Sequence, residues 1–219
     1  KRMAMGFTFL KMDVGINLLR GIEGTLIQDP TVAANPNLMH PFTATQITQK
    51  GIEHLAEYAR VIRDQLGNTI PIAIDHFGHI GLDSCIRLGR ALDRFTFAWY
   101  EDMLPWQFPK QMKAIKDAVE TPVCTGEDIY LRQEFKTLLD EDCVSYVHPD
   151  LATSGGILET KRIGDLAQEY GVPMVLHQAG SPIVAMANVH CAAATENFVA
   201  LEMHSVDLPW WGDLVTFEG

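Results

Sequence analysis

The 219 residues are 47% hydrophobic, enough for a substantial core, and 17 basic against 28 acidic side chains give a net charge of −11. With no basic tract and no alternation of aromatic and basic residues, that balance argues against a nucleic-acid partner, and an acidic site would need a cation to hold an anionic substrate. No apolar run reaches the roughly 18 residues of a membrane span.

The start, KRMAMGFTFLKMD, lacks the apolar segment and small-residue cleavage site of a signal peptide, so no membrane partner is expected. Cys85, Cys124, Cys143 and Cys191 form no C-x-x-C pair and sit in apolar contexts, as buried thiols do in a reducing, cytoplasmic setting.

Short apolar runs then read, in chain order, as buried parallel strands. They are GFTFLKMD (6–13), IPIAID (70–75), FTFAWYE (95–101), TPVCTGE (121–127), CVSYVHPD (143–150), VPMVLHQ (172–178) and NFVALEMH (197–204). Helix-period segments lie between most of them, over 43–67, 84–95, 109–119, 131–142 and 158–171, the last closed by Gly171 where a C-terminal cap belongs. Residues 14–42, rich in Gly, Pro and Asn, read as a loop inserted over the mouth of the fold, a lid rather than filler. Strand alternating with helix calls for right-handed βαβ units.

Ionisable residues mark the strand ends. Asp75, Glu101, Glu127, Asp150, His177 and Glu202 follow one another at intervals of 26, 26, 23, 27 and 25 residues. That period fits a (β/α) barrel, whose strand C-termini share one mouth, better than an open doubly wound sheet, which would spread the same groups along an edge. One domain over 1–219 is expected, with seven strands visible where a closed barrel needs eight.

Asp75, Glu101 and Glu127, on consecutive strands, are three hard oxygen donors suited to Mg²⁺. Without a cation they would repel one another, and one would have to stay protonated. Any one of them taken alone is better explained as a helix cap or an arginine partner; three in phase favour metal. Asp150 and His177, on the next two strands, would sit side by side, the carboxylate fixing the imidazole tautomer and making His177 a candidate general base. Lys11 would add a positive charge beside the metal, suited to a substrate carboxylate.

These pieces resemble the enolase superfamily in its mandelate racemase and muconate lactonizing branch. The match runs in order through GFTFLKMD, IAIDHFG, AWYED, TGED, HPDLATSGGILE, MVLHQAG and NFVALEMH. With EMHSVDLPWWGDLV, the sugar-acid dehydratases of that branch look most similar. The resemblance implies an enolase-type modified TIM barrel, with an N-terminal α+β capping domain and a first barrel strand outside these residues.

It also implies Mg²⁺ on Asp75, Glu101 and Glu127, a His177–Asp150 dyad as base, and Glu202 hydrogen-bonding near the substrate carboxylate. Asp13 falls where the family's second strand lysine would stand, which argues against two-base racemisation. Related dehydratases carry a leaving-group acid, a histidine, at the position held here by Phe77, so His76 and His79 on either side become the candidates.

The expected reaction removes the proton α to a carboxylate and expels the β-hydroxyl, giving a 2-keto-3-deoxy acid. The alternatives are an epimerase, racemase or cycloisomerase through the same enediolate, and a non-catalytic metal-stabilised barrel. The expected partner is a small-molecule acid sugar, and a homo-oligomer, dimer to octamer, is expected.

Overall fold

The computed structural model describes residues 1–34, 44–78 and 80–216. They form two compact units, Lys1–Val123 and Cys124–Gly219. Among the described residues no helix is long and apolar enough to cross a membrane.

In the first unit, β1 (Leu10–Asp13) is followed by β2 (Leu26–Gln28), α1 (Pro30–Ala34), β3 (Thr45–Ile47), α2 (Gln49–Leu66), β4 (Ile72–Asp75), α3 (Leu82–Leu92), β5 (Tyr100–Glu101) and α4 (Pro109–Lys116). β1, β4 and β5 pair in parallel, with Asp13 opposite Asp75 and Asp75 opposite Glu101. Ile72, Ala73 and Ile74 are all buried, because a parallel strand is covered on both faces. That is why such strands were legible as unbroken apolar runs.

The helix expected over 43–67 begins later than its periodicity suggests. Thr45–Ile47 is a strand, paired antiparallel with Leu26–Gln28. Ser84 accepts from the Ile47 N–H at 3.1 Å and Arg87 donates to its carbonyl at 2.7 Å, so α3 holds the strand in place. Thr48 then caps α2, accepting from the Gly51 N–H at 3.1 Å, and Ile52, Leu55, Ala56 and Ala59 make the buried stripe. Within the expected insertion, Val14, Ile16, Leu19 and Thr25 are buried, so this part is packed, while 35–42 lies outside the described residues.

β1 is locked to the end of β4 by backbone alone. Val14 N–H donates to the Asp75 carbonyl at 3.3 Å and Ile16 N–H to that of Phe77 at 3.2 Å. Gly15 lies between them, and a Cβ there would meet the His76 carbonyl oxygen at 2.4 Å. Gly15→Ala should therefore push the two segments apart and cost about 1–3 kcal/mol, seen as a lower urea midpoint at unchanged slope.

In the second unit, β6 (Val123–Thr125, whose first residue belongs to the first unit), α5 (Leu131–Asp140), β7 (Tyr146–Val147), α6 (Leu151–Ser154), α7 (Ile157–Glu169), β8 (Met174–Leu176), α8 (Pro182–Ala193) and β9 (Phe198–Leu201) alternate. β6 pairs with β7, β7 with β8 and β8 with β9, all in parallel. Gly171 follows α7 at φ +70°, and the Val172 N–H returns to the Ala167 carbonyl at 2.9 Å, the closure expected of a left-handed cap. α8 has no counterpart in the sequence reading. Its stretch PIVAMANVHCAA is apolar nearly all round and so shows no 3.6-residue stripe.

Candidate functional site

In the first unit the sequence-predicted residues Lys11, Asp75 and Glu101 come together. Lys11 lies one strand over and two residues below Asp75 in register, within reach of both acids. Its Nζ lies 3.0 Å from Asp75 Oδ2 and 2.7 Å from Glu101 Oε1. Glu101 is fully buried, and its Oε2 accepts from Trp99 Nε1 at 2.7 Å. A charge so deep is tolerated only when paired and hydrogen-bonded. Trp99 was not singled out from sequence, although it stands two residues before Glu101 and so on the same strand face.

Both acids are followed by a left-handed residue, His76 at φ 51° and Asp102 at φ 45°. His and Asp are among the residue types enriched in that conformation. The turn makes each acid the last residue to project as the strand does. His76 is half-buried and its N–H donates to the Glu101 carbonyl at 3.1 Å. Phe77 is fully buried and packs on Tyr100, ring centroids 5.4 Å apart, so it is a core residue. His79 lies outside the described residues.

In the second unit Glu127, Asp150, His177 and Glu202 come together. Asp150 and His177 form a parallel bridge at the ends of β7 and β8. His177 Nδ1 lies 2.7 Å from Asp150 Oδ2. Asp150 Oδ1 accepts from the N–H groups of Ala152, at 2.7 Å, and Thr153, at 3.1 Å. Burial pushes the Asp150 carboxyl up, but the hydrogen bond and charge of His177 and the two backbone donors outweigh it and hold the group below the usual carboxylate range. His177 therefore has a fixed ring and Nε2 as its outward nitrogen, 3.1 Å from Glu127 Oε2 and 3.5 Å from Glu202 Oε2.

Sequence reasoning passed over five further residues of this group. The buried His148 stands edge-on to His177, ring centroids 5.5 Å apart, with Nε2 3.9 Å from Glu202 Oε2. Its position two residues before Asp150 was the available signal. Gln178 is fully buried, and beyond β9 His204 and Asp207 continue from Glu202. Gly126 lets β6 end against the His148 backbone, where a Cβ would meet the His148 carbonyl carbon at 2.8 Å.

Among the described residues no three His, Cys, Asp or Glu side chains stand as a metal cluster. Asp75 and Glu101 close on Lys11, and Glu127 on His177. The donors are nonetheless chemically suited to a hard divalent ion: Asp75 and Glu101 already share one cation between their oxygens, and the third candidate, Glu127, is a carboxylate too.

Comparison with known proteins gives a family model, enolase C-terminal domain-like, matching residues 1–218. The D-xylonate dehydratase of Haloferax volcanii is 36% identical over 165 residues, 75% of this chain and 40% of that protein. The D-gluconate/D-galactonate dehydratase of Picrophilus torridus is 28% identical over 166 residues, 76% of this chain and 42% of that protein. Among solved structures, a mandelate racemase/muconate lactonizing enzyme-like protein from Rubrobacter xylanophilus superposes with a TM-score of 0.81 at 31% identity, over 97% of this chain and 50% of that one. The chain thus spans half or less of the length of these relatives.

Proposed function

Because the chain belongs to the enolase C-terminal domain-like family, we propose that it is the catalytic part of a Mg²⁺-dependent sugar-acid dehydratase. The observation that carries the reading is the Asp150–His177 pair, 2.7 Å apart and fixed from behind by two backbone donors. Nδ1–H donates to Asp150, which leaves Nε2 to take the proton α to the substrate carboxylate. Relatives acting on xylonate, gluconate and galactonate by their names support an aldonic or aldaric acid as substrate.

Asp75, Glu101 and Glu127 would hold the Mg²⁺. When bound it supplies positive charge where the enediolate's negative charge develops, usually a large share of such a rate. Lys11, bridging Asp75 and Glu101, adds a second positive charge to that region. A histidine at 76 or 79 protonates the departing β-hydroxyl, and the enol left behind becomes a 2-keto-3-deoxy acid. The same reading carries a homo-oligomer and a cytoplasmic location, in keeping with Cys85, Cys124, Cys143 and Cys191 all being buried.

The test is the full-length protein with Mg²⁺ against a panel of aldonic and aldaric acids. A 2-keto-3-deoxy acid is expected from at least one. Its absence throughout would sink the reading, and solvent deuterium entering Cα without loss of water would replace it with an epimerase.

A further inference from the structure

The two oxygens of Glu101 are held differently. Oε1 accepts from the Lys11 ammonium at 2.7 Å, and that ammonium also lies 3.0 Å from Asp75 Oδ2, so these two oxygens converge on one cation. Oε2 accepts from the Trp99 indole N–H at 2.7 Å. An indole nitrogen can only donate, which fixes the direction of this bond.

Trp99 is itself held in place. Its carbonyl accepts from the Ile74 N–H at 2.9 Å, which ties its backbone to β4. Its ring is buried and packs on that of Phe9, centroids 4.9 Å apart. Trp99 stands two residues before Glu101, and Phe9 two before Lys11, so each aromatic ring shares a strand face with the charged group beyond it. An aromatic pair thus supports a charged pair, in the manner of the layers that alternate strands of a barrel stack in its interior. In an interior packed this closely, the indole cannot swing aside without opening a cavity.

With Oε2 tied to the indole, Oε1 is the oxygen that Glu101 turns toward a cation. That constraint matters differently to different ions. Mg²⁺ demands a near-ideal octahedron, which a carboxylate biting through both oxygens distorts, whereas Ca²⁺ accepts about six to eight oxygens and takes carboxylates through one or both.

We propose that Trp99 is a positioning residue that confines Glu101 to binding through one oxygen and thereby makes the site favour Mg²⁺ over Ca²⁺. This rests on the reading of Asp75 and Glu101 as cation ligands. Trp99 acts through Glu101 and needs no contact with the substrate.

The experiment is a calorimetric titration of the full-length protein and of Trp99→Phe with MgCl₂ and, separately, with CaCl₂. Phenylalanine keeps a ring against Phe9 and deletes the donor. The Kd for Mg²⁺ should rise by about 10–100-fold, as is usual when a group that orients a metal ligand is lost. The Kd for Ca²⁺ should hold or fall, because the released Oε2 becomes a second oxygen for the larger ion.

A purely structural role for Trp99 predicts something else: loosened packing would weaken both ions alike. An equal loss for the two ions, or affinities unchanged from the parent, would overturn the proposal and leave the metal reading standing. A parent that binds neither ion would sink both. Should Trp99→Phe fail to fold, benzothienylalanine at position 99 makes the same comparison, since it sets sulfur in place of the indole N–H at nearly the same shape. A lowered preference for Mg²⁺ is expected there too, and an unchanged one would overturn the proposal.

Discussion

His177→Asn should lower turnover on a responsive sugar acid by a factor on the order of 10³ or more and leave the protein folded. The asparagine amide keeps a donor toward Asp150, whose other oxygen remains tied to Ala152 and Thr153, so the local hydrogen bonds survive. What is lost is the basic nitrogen at Nε2, and water is far too weak a base to replace it at an α-carbon. The urea midpoint should move little, because the hydrogen bonds that anchor Asp150 survive the change. Asp150→Asn is the control. It keeps the shape but offers Nδ1 an amide, so activity should fall through the wrong tautomer while Mg²⁺ affinity holds. Turnover that persists in His177→Asn would remove histidine from the chemistry, and a non-catalytic role would then be the better reading.

The parts of the chain that were legible in its sequence are those where burial imposes a pattern. Ile72–Ile74 and Met174–Leu176 are strands covered on both faces, so each reads as an apolar run, and the residue at its end is the first free to be ionisable. Asp75, Glu101, Asp150 and His177 were found that way, and the family model over 1–218 bears out the enolase-type α/β fold expected from their order.

The parts not legible lack such a pattern. α8 is apolar nearly all round, and Thr45–Ile47 looks like the first turn of α2 until Ser84 and Arg87 are seen holding it as a strand. His204 and Asp207 lie in a turn beyond β9, where no period relates them to Glu202. Only the folded chain brings His204 to Glu202, at 3.1 Å, and Asp207 to His204, at 2.7 Å.

Lys11→Met should have the largest effect on stability, about 3–5 kcal/mol, because it removes one partner of a buried ion pair and leaves the other charge behind. Lys11 is 15% exposed and Glu101 not at all, so water reaches the ammonium poorly and the Glu101 carboxylate not at all. Asp75 and Glu101 are opposite one another on adjacent strands and would then face each other without the ammonium that joins them. Methionine keeps the length and the apolar stem, which confines the change to charge.

If these carboxylates also bind Mg²⁺, the ion and the ammonium serve the same oxygens. Mg²⁺ should then raise the unfolding midpoint of Lys11→Met by more than it raises that of the parent, following the usual dependence of stability on bound ligand. Activity should not return with stability, since the ion cannot stand in for the second positive charge near the enediolate. A variant as stable as its parent would show that the ammonium is not what holds Glu101. A Mg²⁺ effect no greater than the parent's would take Asp75 and Glu101 out of the proposed metal set.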